Sequence, residues 1–132
     1  MIIEKRFKTE EITSESILDF ISTSVEDFGI SETTIVRLSV CTDEIVSNIL
    51  NHSHAKYIDV TVEVEHNVPT ISVSFTDDGE PFNPLIEAEE PDFSQPLDER
   101  KEGGMGVYMV KKMARNVTYS RNDRQNIFTI CI

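Results

Sequence analysis

Between Ile58 and Phe75 the chain alternates. Ile58, Val60, Val62 and Val64 are apolar, and Asp59, Thr61, Glu63 and Glu65 between them are polar; past His66-Asn67-Val68-Pro69, Ile71, Val73 and Phe75 resume the same period of two. Successive side chains of a strand point to opposite faces of a sheet, so the pattern specifies two strands, each with one dry side and one wet side. The residues between them suit a turn, and the pair reads as a hairpin. Its dry side needs a partner layer, and helices laid across one face of a sheet supply it.

The helices are written nearby. Thr13 or Ser14 caps a helix that runs to about Phe28, with Glu15 in its first turn and Ile17, Leu18, Ile21, Val25 and Phe28 as its apolar stripe. Gly29 is placed to end it, because glycine accepts the left-handed conformation just past a helix. Ser31 caps a longer helix reaching about His52, with Glu32 near the positive end of its dipole. A third runs from Met105 to about Arg115 on Val107, Val110 and Met113. Met1 to Lys8, with Ile3 and Phe7, reads as an edge strand. Val117 and Tyr119, a turn over 122–126, and then Phe128, Ile130 and Ile132 make a second hairpin. The expected fold is α+β: a two-layer α/β sandwich with a mixed, mostly antiparallel sheet and helices on one face. At 132 residues one domain spanning 1–132 is expected, long enough for a core without staples.

Three stretches carry chemistry. On the second helix Glu44, Asn48 and His52 recur every fourth position and so share one face. They border Leu38, Cys41, Ile45, Ile49 and Leu50, which need a core. A carboxylate at the edge of a core costs free energy unless something uses it, although a polar flank would give the same pattern. The second stretch is Phe75-Thr76-Asp77-Asp78-Gly79-Glu80-Pro81-Phe82. A carboxylate buried at a strand end can accept a hydrogen bond from an exocyclic amine; a plain turn accounts for Asp77-Asp78-Gly79 as well. The third is Gly103-Gly104-Met105-Gly106 ahead of a helix, where free N–H groups and the helix dipole bind phosphate, or where a hinge would sit. The Lys-Ser/Thr ending of a Walker loop is absent.

In this order and at these spacings, the three stretches resemble the ATP-binding superfamily shared by gyrase, the heat-shock chaperone of the same class, mismatch-repair ATPases and histidine kinases (the Bergerat fold). Within it the chain looks most like the short, single-domain bacterial anti-sigma-factor serine/threonine kinases. The resemblance implies that Asp77 reads the adenine amino group while Gly79 lets the backbone approach the base. Gly103, Gly104, Met105 and Gly106 would hold phosphates of ATP. Asn48 would be a ligand of the Mg²⁺ that bridges the triphosphate, and Glu44 the general base acting on an attacking hydroxyl. His52 is read as closing the helix end against the loop. The segment from Pro84 to about Glu102, interrupted by Pro91 and Pro96, rich in acidic residues and without period, falls where the superfamily has its ATP lid.

The activity implied is ATP- and Mg²⁺-dependent phosphorylation of a small anti-sigma-factor antagonist at Ser or Thr, with a sigma factor as a further partner and a homodimer as the assembly. Two departures favour this branch over the histidine kinases: Asn51 stands where those carry a lysine, and within these 132 residues no second domain with a phosphoacceptor His is expected. A basic residue often precedes the second glycine motif; here Glu102 stands nearest, after Arg100 and Lys101. Other readings are a module that binds ATP and switches partners without transfer, an ATPase whose acceptor is water, and a histidine-kinase-like ATPase domain. Glu44 favours transfer, since a pure binder needs no base.

Charge narrows the partners. Lys plus Arg is 12 against 24 for Asp plus Glu, a net −12 that repels nucleic acid phosphates, and no basic stripe offsets it. No apolar run spans a bilayer and the start lacks a signal-peptide core, so a cytoplasmic protein is expected. Cys41 and Cys131 are expected as buried free thiols, and His52 with His54 lacks a visible third metal ligand.

Overall fold

The computed structural model describes residues 1–65, 70–87, 93–96 and 105–132. Its elements in chain order are β1 (Ile2–Lys8), α1 (Ser14–Val25), α2 (Glu32–Asn48), β2 (Tyr57–Glu65), β3 (Thr70–Asp77), a one-turn α3 (Pro84–Glu87), α4 (Met105–Met113), β4 (Asn116–Asn122) and β5 (Gln125–Cys131). The strands form one sheet in the order β1-β2-β3-β5-β4. Among the described residues all four pairings are antiparallel, so the sheet expected to be mixed and mostly antiparallel is antiparallel throughout. The second hairpin produces this by docking its later strand, β5, beside β3.

Register separates the two faces. Val60, Phe75, Phe128 and Tyr119 stand in one cross-strand row, and Val62, Val73, Ile130 and Val117 in the next. Ile17, Ile21 and Val25 of α1, Leu38, Cys41, Ile45 and Val46 of α2 and Val110 of α4 pack with the inner residues of these rows in one core. The opposite face carries Thr61, Ser74, Thr129 and Thr118 side by side, with Ser74 and Thr129 hydroxyls bonded at 2.9 Å. Cys131 lies in register on that open face and is half-buried, which corrects the expectation of two buried thiols; Cys41 is fully buried.

The caps follow the sequence closely. Thr13 accepts the Ser16 N–H and Ser16 returns the bond to the Thr13 N–H, a reciprocal box that starts α1. After Val25 a tighter turn over Glu26–Phe28 ends at Gly29, whose φ of +66° is the left-handed cap. Ser31 caps α2 through the Thr34 N–H.

Two further expectations change. The long helix does not continue as an α-helix to His52: it becomes a wide π turn over Ile49–Ser53 and leaves through His54 at φ +54°. A π turn holds an extra residue, so side chains after Asn48 rotate off the α-helical stripe, and Leu50, expected in the core, is 39% exposed. Within the segment expected to lack structure, Pro84–Glu87 forms α3. Asn83 caps it by accepting the Leu85 N–H, and proline occupies the first helical position, where its missing N–H has no use. Most of the rest of the expected lid, the 66–69 turn, and Gly103, Gly104, Arg100, Lys101 and Glu102 lie outside the described residues. Among the described residues no helix is long and apolar enough to cross a membrane.

Candidate functional site

β3 carries Asp77 to the edge of the core. Strand alternation sets it on the same side as Phe75 and Val73, beneath the end of α2, with Ile58 and Asn126 as its cross-strand neighbours. It is 2% exposed. Its Oδ1 accepts the Gly79 N–H at 2.9 Å and Asn126 Nδ2 at 3.1 Å. Burial pushes the Asp77 carboxyl above its ordinary range; bonds from Asn126, Gly79 and Ser53 pull it back, and neighbouring Asp78 pushes it up again. The carboxylate lines a cavity between α2 and the sheet, with Ile45, Ile49, Phe82, Pro84 and Phe128 as apolar walls and Asn48, Ser53, Tyr119 and Asn126 as polar ones. Apolar walls with a single buried carboxylate suit a flat heterocycle that offers a hydrogen-bond donor.

Gly79 has a packing reason. The Glu80 N–H donates to the Ser53 carbonyl at 2.7 Å, which draws the loop onto the end of the π turn. A Cβ at position 79 would stand 2.7 Å from Ser53 Oγ and 2.8 Å from the Ser53 carbonyl carbon, so only glycine fits. Asp78 faces elsewhere: its Oδ1 accepts the Lys56 and Tyr57 N–H groups at 2.8 and 3.1 Å and fixes the start of β2.

Glu44 and Asn48 are half-buried on α2, one turn apart. Asn48 lines the cavity, while Glu44 meets α4. The space that a Cβ on Gly106 would need is taken by Glu44 Oε2. Burial raises the Glu44 carboxyl above its ordinary range, and Asp43 beside it adds to the rise. The Ser14 hydroxyl in turn donates to Asp43 Oδ1 at 2.7 Å. His52 stacks on Phe82 with ring centres 4.5 Å apart and planes 13° from parallel, closing the helix end against the loop. Among the described residues no group of three or more His, Cys, Asp or Glu side chains could hold a metal. Asn48 offers a neutral carbonyl oxygen, the donor type a hard cation accepts.

The structure thus brings Glu44, Asn48, Asp77, Gly79 and Gly106 to one side of the molecule around the end of α2; Met105 begins α4, and Gly103 and Gly104 lie outside the described residues. Two members of the site escaped the sequence reading. Ser53 reaches Gly79 only because of the π turn. Asn126 seemed part of a turn, yet it is in step with Phe128 and Ile130, and that period of two signals a buried polar residue.

The chain has relatives among known proteins. A family model described as histidine kinase-like ATPase domain matches residues 8–132. The serine/threonine-protein kinase BtrW of Bordetella bronchiseptica is 27% identical over 97 residues, a span of 70% of this chain and 66% of that protein. The solved RsbU and RsbW domains of Rv1364c from Mycobacterium tuberculosis match with a TM-score of 0.67 at 11% identity, over 99% of this chain and 32% of that one. The Acinetobacter baumannii histidine kinase AdeS matches with a TM-score of 0.54 at 16% identity, over 100% of this chain and 68% of that one. At these identities the two structures speak to the fold alone.

Proposed function

The chain belongs to the histidine kinase-like ATPase domain family, and on that premise we propose that it is an ATP-dependent protein serine/threonine kinase of the anti-sigma type. Its substrate is a small antagonist protein with an acceptor Ser or Thr, and a sigma factor and a second copy of the chain are its further partners. One observation carries the reading: a buried carboxylate, Asp77, in an apolar cavity, with Asn48 on the cavity wall and Glu44 one helical turn beyond it. The kinase named BtrW supports the choice of Ser or Thr as acceptor.

The residues fit ATP in kind. Asp77 accepts the base amine, and the first turn of α4 would hold the phosphates through the N–H groups that a helix leaves without an intrahelical partner. The cavity encloses about 20 Å³, the room of a single water, so a purine enters only as apolar side chains of its wall turn aside while the main chain holds its place. Magnesium, when bound, would neutralise triphosphate charge, and Asn48 would hold it through its carbonyl oxygen. Glu44 takes the proton of the acceptor hydroxyl. Burial raises its pKa, and Asp43 adds to the rise, which strengthens it as a base.

The test is to isolate the partner that co-purifies with the chain and add labelled ATP. Label on a Ser or Thr of the partner, absent with Glu44→Gln, is the expected result. A partner that binds in an ATP-dependent way and never acquires phosphate would replace the kinase with a switching module.

A further inference from the structure

Asn126, the second residue of β5, stands in register with Asp77 of β3, and its side chain enters the helix-covered side at 3% exposure. A primary amide has two N–H donors and two acceptor sites on its oxygen. All four are used here. Nδ2 donates to Asp77 Oδ1 at 3.1 Å and to the Glu80 carbonyl at 2.7 Å. Oδ1 accepts the Phe82 N–H at 3.2 Å and the Tyr119 hydroxyl. The partners fix which way the amide faces: the Glu80 carbonyl can only accept, and the Phe82 N–H can only donate. One side chain therefore joins the carboxylate of the cavity, both ends of the Glu80–Phe82 loop and the Tyr119 wall.

We propose that Asn126 is a positioning residue for base recognition, and that it sets the preference for a purine bearing an exocyclic amine without needing to touch the base. The proposal rests on the reading that Asp77 faces the base of a nucleotide. With Oδ1 held by Gly79 and Asn126, and a further bond from the Ser53 side chain, the carboxylate is held against turning about its axis at the wall of the cavity that it lines. A purine with an oxygen at that position brings acceptor against acceptor. A carboxylate free to turn could move aside; one clamped by an amide cannot, and the mismatch stays. The same amide holds the Phe82 N–H, so the wall and the carboxylate keep one relative position. Removing the amide frees both together.

Calorimetry with Mg-ATP and Mg-ITP tests this on wild type, Asn126→Ala, Asp77→Asn and the double variant. Wild type is expected to prefer ATP. Asn126→Ala is expected to weaken ATP about ten-fold, the worth of one charge-assisted hydrogen bond, while ITP moves little and the preference collapses. In the Asp77→Asn background Asn126→Ala should change the ATP-to-ITP ratio no further. A purely structural role would lower both affinities by one factor; that result, or an unchanged preference, overturns the proposal and leaves the ATP reading standing. A wild type that binds neither nucleotide overturns both. If circular dichroism shows Asn126→Ala unfolded, Tyr119→Phe removes a single bond to Asn126 Oδ1 and should narrow the preference about three-fold; no narrowing overturns the proposal.

Discussion

The two ends of the candidate site are made of different materials. At the Asp77 end, Asp77, Gly79, Ser53 and Asn126 bond to one another and to main-chain groups, and Ser53, Asp77 and Asn126 are all buried. At the other end, Glu44 and Asn48 are half-buried, and Glu44 meets α4 with the tip of its side chain. The glycines make the contrast measurable. Neither Gly79 nor Gly106 has room for a Cβ, but the obstacle at 79 includes the backbone of Ser53, and at 106 it is a glutamate side chain. Main chain in a packed turn cannot step aside, and a carboxylate can. A rigid end is suited to selecting a ligand; a yielding end is suited to the movement that chemistry requires.

The largest test of that division is Glu44→Gln. It should leave ATP binding near wild type and lower phosphoryl transfer by about 10²–10⁴, the usual worth of a general base. Wild-type transfer by the Gln variant would remove Glu44 from the mechanism. Burial and Asp43 hold Glu44 above its ordinary 4.5, so transfer should fall as pH drops through a value higher than that. Asp43→Asn removes one of the two causes and should move this acid limb downward; a limb that stays in place would show that Asp43 does not act on Glu44.

The paired alanines come next. Gly79→Ala forces a Cβ into the Ser53 backbone and should cost on the order of 1–3 kcal/mol in denaturant unfolding, as overpacking does. Gly106→Ala should leave unfolding nearly unchanged, because Glu44 swings away, and should lower transfer instead. Equal destabilisation by the two would break the comparison.

Asn48→Ala should weaken ATP binding roughly ten-fold with Mg²⁺ present and hardly at all in EDTA, since a hard cation takes few ligands from protein and each one counts. A loss of the same size in EDTA would mean that Asn48 serves the nucleotide and not the metal.

The smallest effect is on stability, at Asp77. Burial raises the folded-state pKa of this carboxyl, so relative to the unfolded chain its charge opposes folding once the pH rises through that value. Asp77→Asn keeps an oxygen for Gly79 and Asn126 and removes the charge. It should melt slightly higher than wild type at pH 7, with the gap closing on acidification as the wild-type carboxyl gains its proton, and it should lose about ten-fold in ATP affinity. A lower melting temperature at pH 7 would show that the bonds to the ionised form outweigh the desolvation.

What could be read in the sequence was whatever depends on neighbours within a turn or a strand. The alternation from Ile58 to Phe75 specified its strands because a period of two needs no knowledge of the partner strand. The i, i+4 spacing of Glu44 and Asn48 put them on one face for the same reason. Asn126 was hidden because its role exists only where β5 lies beside β3, a pairing between residues 49 apart in the chain. The π turn was hidden too, since Ile49 to His52 continue a helical pattern without a glycine or proline to interrupt it. Leu50 was assigned to the core on that pattern and is exposed because of the turn.

The π turn also makes this part of the chain sensitive to length. It holds one residue more than an α-helical path would use. Inserting one residue between Asn48 and Ile49, where the turn already holds its extra one, would turn each later side chain by roughly 100° about the axis. Ser53 would then leave Gly79, and the glycine would lose its steric reason. His52 would leave Phe82. Point substitutions exchange one side chain and keep this spacing, whereas a single inserted codon would move every contact between the helix end and the loop at once. A library that adds length in 49–53 should therefore be depleted of functional members far more than one that varies identity there.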